Sequence, residues 1–267
     1  MALVAAIILT SCSEKRNDVT DSVSFDAYNI GAAYTMPGTA KIFSSGQDIT
    51  FSDSVSLMLP SQLYDINITA LRDTILSYAI DMKSVENIPT AIKSSLDSTA
   101  ASLGYEYKRL SHCPASPDGF SYTTGMLVYL NTDMMVYCIK NDTYVPSAAH
   151  GMQSKRYINY YMPTKKTGNI LYLTDLFTPE GLKQLPDKIA ERAQDMADIT
   201  GPTSVEGLPT DGNFFISPEG QIVFAYQPYE IASYSQGFIN IAFDPTELIE
   251  QLSPEGIELF HLSDLQE

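Results

Sequence analysis

Chemistry needs groups that titrate, coordinate or attack, held at workable spacings. This chain has three His, at positions 112, 150 and 261, each in a separate context. No two of them have the i, i+4 spacing that sets two imidazoles on one helical face around a metal. No metal site and no cofactor is expected. The densest polar and aromatic stretch is "YQPYEIASYSQG", from Tyr226 to Gly237, with three tyrosines, Pro228 and Glu230. Two uses are open to it. Glu230, or His150 in the turn "AAHGM", could serve as the general acid or base of an enzyme, provided a second titratable group converges on it. Alternatively, Tyr226, Tyr229 and Tyr234 could offer amphipathic contact area to a ligand, with Glu230 and the phenols tying a corner together. Gly-x-Ser-x-Gly is absent, because Ser235-Gln236-Gly237 lacks the preceding glycine. No phosphate-cradling glycine loop is present. With 32 acidic residues any carboxylate pair is cheap, and none stands in an apolar setting that would raise its pKa.

The elements that would position these groups are legible from periodicity. Val23, Phe25 and Ala27 alternate on one face, as do Val55, Leu57 and Leu59 before Pro60, which should end that strand. Ile68, Leu71, Ile75, Ala79 and Met82 form a helical stripe. A second stripe, Ile92, Leu96, Ala100 and Leu103, runs between Pro89 and Gly104. Strands then follow in series: 120–130, 134–140 closed by a turn at Asn141-Asp142, 156–163, and 169–173. Thr178-Pro179-Glu180 should cap a helix carrying Leu182, Leu185, Ile189, Ala193 and Met196, with Gly201-Pro202 beyond it. Short strands at 213–217, 221–226 and 237–243 precede a short helix from Asp244 to Leu252. The fold class expected is α+β: antiparallel sheets with helices packed on one face, in two α+β subdomains, 23–110 and 111–267.

Composition narrows the partners. The 267 residues are 44% hydrophobic, enough for a sizeable core, and the formal charge is −16. That charge disfavours nucleic acid, which requires a basic surface, and favours a basic partner through long-range steering. The opening "MALVAAIILTSC" is shorter than the about 20 apolar residues a spanning helix needs. Leu9-Thr10-Ser11-Cys12 resembles the bacterial lipobox, although no Lys or Arg precedes Cys12. That resemblance implies a signal peptide over 1–12, lipid on Cys12, a polar tether over 13–22, and an extracytoplasmic domain held to the membrane through its lipid only. Outside the cytoplasm a disulfide between Cys113 and Cys138 is permitted, and two separate thiols are equally open.

Three blocks of the second half resemble a known extracellular domain. They are Ala148 to Met152 with the tyrosine-rich strand after it, the link Gly168, Leu173, Asp175, Leu176, Phe177, and the corner Pro228-Tyr229-Glu230-Ile231-Ala232 with Gly237. Together, over about 145 to 252, they look like the domain shared by the RsiV anti-sigma factor and the non-catalytic part of PdaC-type peptidoglycan deacetylases. The resemblance implies a non-enzymatic binding module of the cell envelope. Its partner would be an extracellular protein, basic and lysozyme-like, or the peptidoglycan glycan. The enzymatic alternative, a wall-cleaving hydrolase or deacetylase, keeps Glu230 or His150 as its acid or base.

Overall fold

The computed structural model describes residues 23–36, 48–109, 118–145, 148–196 and 205–265. Cys12 with its lipobox, the 13–22 tether, His112, Cys113 and the Gly201-Pro202 stop lie outside these residues. The fold is α+β, with two mostly antiparallel sheets. The larger sheet has the order β1-β2-β3-β4-β5-β6: β1 (Val23–Met36), β2 (Ile49–Leu63), β3 (Asp118–Leu130), β4 (Met134–Tyr144), β5 (Met152–Thr164) and β6 (Thr167–Leu171). The smaller has β7 (Phe214–Ile216), β8 (Ile222–Tyr226) and β9 (Ile239–Phe243). The helices are α1 (Thr69–Ile80), α2 (Ile88–Arg109), α3 (Leu173–Leu176), α4 (Pro179–Gln194) and α5 (Pro254–Leu259). The chain divides into two compact units. The first takes the described residues up to Met126 with Ile139–Ser154 and Lys165–Thr167; the second takes Leu127–Cys138, Lys155–Thr164 and everything from Gly168 on.

In the first unit, β1 and β2 form a long antiparallel hairpin, and α1 and α2 pack against it. Alternation along β2 is strict from Ile49 to Leu57, burying every second side chain. β2 and β3 pair in parallel, the exception to the expected antiparallel pattern. The α1–α2 excursion makes this possible, because parallel neighbours need a long crossover. Pro60 does not end β2, which continues to Leu63. The pairing steps from Ser24 opposite Gln62 to Phe25 opposite Pro60, so Ser61 is the extra residue of a bulge. A bulge beside it lets a residue without an N–H stay in the ladder. Ala27 is exposed, and the inward positions of β1 are Ile30 and Tyr34. α1 stops at Asp81, whose φ is +55°, so Ile80 and Leu76 close the stripe in place of Ala79 and Met82. α2 runs through Gly104, expected as its end. Asn141-Asp142 does not turn the chain: β4 continues, because the Thr123 hydroxyl donates to Asn141 Oδ1 at 2.8 Å across the strands.

One buried acid of the first unit overturns the expectation that no carboxylate stands in an apolar setting. Asp53 occupies an inward place on β2 and is 4% exposed. Burial raises its carboxyl to about 6, against the pull of hydrogen bonds from the Ser121 hydroxyl and the Ser54 N–H. The Tyr34 phenol nearby is pushed up to about 12 by burial first, then by Asp97 and Asp53.

In the second unit the core is built from β7–β9, α4 and the segments around α3 and α5, with Phe177, Leu185, Ile189, Phe224 and Ile241 at most 1% exposed. The expected strand 169–173 ends at Leu171, and Leu173–Leu176 turns helical. Pro245–Leu248 forms a single 3-10 turn where a helix to Leu252 was expected, and Leu252 bridges to Phe177. Helix α5 had no distinct sequence signal apart from its cap. Its start, Ser253-Pro254-Glu255-Gly256, repeats the start of α4, Thr178-Pro179-Glu180-Gly181. The two caps are also reciprocal. Thr178 N–H donates to Gln251 O at 3.0 Å and Ser253 N–H to Leu176 O at 2.8 Å. A Cβ at Gly181 would collide with the Gln251 carbonyl, and one at Gly256 with that of Leu176.

The Asp53 site gives a prediction with a definite sign. The folded pKa is about 6 against an ordinary 3.8, so the folded state holds the proton more tightly, and stability falls as pH rises from about 4 to about 6. Asp53→Asn removes the charge. It should stabilise the protein in urea unfolding, with a gain about 1.5 kcal/mol larger at pH 8 than at pH 5. An equal gain at both pH values would refute the assignment.

Candidate functional site

The tyrosine-rich corner starts where β8 runs out at Tyr226 and ends where β9 begins at Ile239. The pairing of central β8 with edge strand β9 fixes its ends: Tyr226 pairs with Ile239, and Ile222 with Phe243. Pro228 has no N–H to give to a ladder, and β8 stops short of it at Tyr226. Gly237 has φ +68° and ψ −142°, a conformation that a side chain would strain, and it releases the chain into β9.

Glu230 holds the corner closed. Its Oε1 accepts from the Thr210 N–H and, at 2.7 Å, from the Thr210 hydroxyl; its Oε2 accepts from the Gln227 N–H at 2.6 Å. Both carboxylate oxygens are therefore engaged by backbone N–H groups of the corner and its neighbouring turn. Tyr226 is 1% exposed, and its hydroxyl donates to Gly207 O at 3.0 Å. Burial first, and Glu230 second, push that phenol well above its ordinary range. Tyr226 is thus a core residue and not a contact surface. Tyr229 and Tyr234 are different. Tyr229 is 56% exposed, and its ring centroid lies 5.3 Å from that of Tyr234 at an interplanar angle of 34°. Tyr229 also has φ +73°, an unfavourable angle for an aromatic residue.

The corner is anchored to β5 by side-chain amides. Gln227 Oε1 accepts from Lys155 N–H at 2.9 Å, and its Nε2 donates to Lys155 O at 2.6 Å. Asn213, 3% exposed, accepts from Tyr157 N–H and donates to the carbonyls of Lys155 and Ala225. Sequence reading missed both amides, along with the strained angle at Tyr229. No residue type in "NFFIS" or "YQPY" announces them.

The other candidates stand apart in role. His150 belongs to the first unit, at the bend before β5, where its Nδ1 lies 2.8 Å from the Gly151 carbonyl oxygen. That contact sets the ring as a turn residue whose N–H serves the backbone. Cys138 is 5% exposed on β4 and hydrogen-bonds Tyr157, which helps raise the Tyr157 phenol to about 12 after the larger effect of burial. Its partner in the expected disulfide, Cys113, is outside the described residues. Among the described residues no three of His, Cys, Asp and Glu are grouped as metal ligands, and no helix is long and apolar enough to cross a membrane.

A family model described as "Protein of unknown function (DUF3298)" matches residues 174–244, which run from α3 through the corner to the end of β9. This segment lies inside the 145–252 stretch singled out in the sequence. No curated protein matches the chain. Among solved structures, a DUF3298-family protein from Bacteroides fragilis is similar, at 17% identity and TM-score 0.66, covering 88% of this chain and 95% of that one. A DUF3298-family protein from Pseudomonas aeruginosa is 14% identical, covers 86% and 95%, and has a TM-score of 0.48. The Bacteroides likeness establishes a shared fold.

Substitutions separate the two roles within the corner. Glu230→Ala strips acceptors from Thr210 and Gln227 and should cost on the order of 2 kcal/mol in denaturant unfolding. Tyr229→Gly relieves a positive φ and should leave the midpoint unchanged or raise it. A neutral Glu230→Ala would show that the corner does not depend on this carboxylate.

Proposed function

We propose that the chain is a non-catalytic binding module of the cell envelope, carried on a lipid at Cys12, whose tyrosine corner meets a basic extracellular protein of the lysozyme-like class. One observation carries the reading. Glu230 is spent on Thr210 and Gln227, while Tyr229 stands exposed at a strained angle beside Tyr234. A general acid or base needs an oxygen directed at a substrate, and both oxygens of Glu230 are already directed at the fold. An exposed tyrosine packed on a half-buried one is what a binding surface needs, because the ring contact limits the side-chain entropy lost on binding. The net charge of −16 complements a basic partner and would speed encounter at low salt. The RsiV-like resemblance agrees with a partner of this kind. The glycan and the wall-active enzyme remain the rival readings, and no geometry at Glu230 or His150 favours the enzyme.

Mixing the purified mature chain with lysozyme should give a complex that weakens as salt rises. Tyr229→Ala with Tyr234→Ala should weaken it about tenfold without unfolding the domain. No complex at low salt would remove the lysozyme-like partner, and turnover of peptidoglycan by the pure chain would remove the non-catalytic reading. Labelling cells with a fatty acid should mark the wild type and leave Cys12→Ser unmarked and soluble. A membrane-bound, unlabelled wild type would end the lipid-anchor reading.

A further inference from the structure

The hairpin-turn end of the small sheet, opposite the corner by the register of β7–β9, borders a second feature of the same unit. It is a cleft of about 370 Å³. Its lining mixes polar and apolar groups: Met134 and Ile216, 6% and 4% exposed, stand with Leu259, Leu262 and the tyrosines Tyr129 and Tyr161. Its charged lining is Asp133, Glu219 and Asp244, joined by His261; among the described residues no Lys or Arg contributes to it.

The two outer carboxylates are presented from turns that side chains hold in place. Asn131 Oδ1 accepts from the N–H groups of Asp133 at 3.1 Å and Met134 at 2.7 Å, fixing the β3–β4 turn. Ser217 Oγ accepts from the N–H groups of Glu219 and Gln221, both at 3.2 Å, fixing the β7–β8 turn. Asp133 and Glu219 both act on one phenol: Tyr129 is raised to about 12 by burial first, then by these two charges. Asp244 is already used in part, since it accepts from Thr246 N–H and hydroxyl. Those same bonds keep its pKa low and its charge in place.

We propose that this cleft accepts one lysine or arginine side chain of a protein partner, its methylenes against the apolar side chains and tyrosine rings, its charged head between Asp133 and Glu219. The proposal rests on the binding-module reading and adds to the tyrosine corner a second contact, with a stated side-chain type, at the other end of the small sheet. An organic cation suits the cleft better than a bare ion. The acids are not grouped as metal ligands, and tyrosines with apolar side chains beside them match a long side chain with a charged tip. Preformed turns lower the ordering cost of binding.

The test does not depend on a natural partner. The full mature chain, isotope-labelled, is titrated with acetyl-Gly-Lys-Gly-amide and with its norleucine analogue. The amide signals of Asp133, Glu219 and Gly220 are followed. The lysine peptide should give saturable shifts there, and the norleucine peptide none. Asp133→Asn with Glu219→Gln should weaken the lysine peptide at least tenfold. Asp187→Asn with Glu191→Gln, which removes the same charge from the exposed side of α4, should change it less than twofold. Equal binding of norleucine, an equal loss in the α4 control, or no shift at the cleft would each overturn the proposal. A chain that binds the lysine peptide but not lysozyme would leave the cleft standing and remove only the named partner.

Discussion

The small sheet of the second unit and both of its ends depend on three amide side chains that stand in for a missing strand. β5 has thirteen residues and its hairpin neighbour β6 has five, so β6 covers only part of that edge. The uncovered N–H and C=O groups must be paired, because a buried peptide group without a partner costs about 1–3 kcal/mol. Gln227 pairs both backbone groups of Lys155, Asn213 takes the Tyr157 N–H, and Asn159 reaches back to Phe214 O and Ile216 N–H, each at 2.9 Å. Asn159 is 1% exposed. An amide carries donor and acceptor a fixed distance apart, as a peptide group does, so it can replace a ladder rung without a strand. The small sheet is therefore held to β5 by directed bonds as well as by packing.

That attachment explains why two surface features occur where they do. The small sheet has two ends, set by the register of β8 with β9. One end is the corner, where Gln227 is at once the last link to β5 and a donor to Glu230. The other is the β7–β8 turn, which presents Glu219. Loops at the ends of a braced sheet are free to vary in sequence while their positions stay fixed. At both ends, carboxylates or hydroxyls accept backbone N–H groups and stiffen the loop. The exposed groups, Tyr229 at one end and Asp133 with Glu219 at the other, stand on loops tied by these bonds.

How much of this could be seen in the sequence depends on the range of the interaction. Periodic burial is local, so the helix stripes of α1, α2 and α4 and the alternation of β2 were readable. The failures were non-local. Pro60 remained in a strand because a bulge at Ser61 absorbed it, and Asn141 remained in β4 because Thr123 lies across from it. The tetrapeptide Ser/Thr-Pro-Glu-Gly shows the limit of a local signal, since it occurs at 178–181, 217–220 and 253–256. Twice it starts a helix, with the hydroxyl accepting the glycine N–H at about 3 Å. At 217–220 it closes a hairpin, the hydroxyl accepts from Glu219 and Gln221, and Gly220 takes φ +84°. The tetrapeptide is the same in kind each time, and the residues C-terminal to it decide the outcome. Leu182 and Ile257 continue an amphipathic helix, whereas Ile222 to Tyr226 is buried on both faces and has to be a strand. The cleft was invisible for a related reason, since its lining comes from five separate segments.

The acids of this chain also divide by use, and the division argues for where partners meet it. Glu230, Asp175, Asp244 and Glu247 accept backbone N–H groups at turns and helix starts. Such carboxylates are part of the fold: their charge is partly answered by donors, and a partner gains little by approaching them. Asp133 and Glu219 offer their backbone N–H groups to Asn131 and Ser217 instead, so their turns are braced without consuming their carboxylates. A protein that used every acid structurally would have a large net charge and no directional field. This one brings two such carboxylates to the rim of one mixed, tyrosine-lined cleft, where their fields add on an approaching cation. Direction, and not the total of −16, is what would let a basic partner find one face of the molecule.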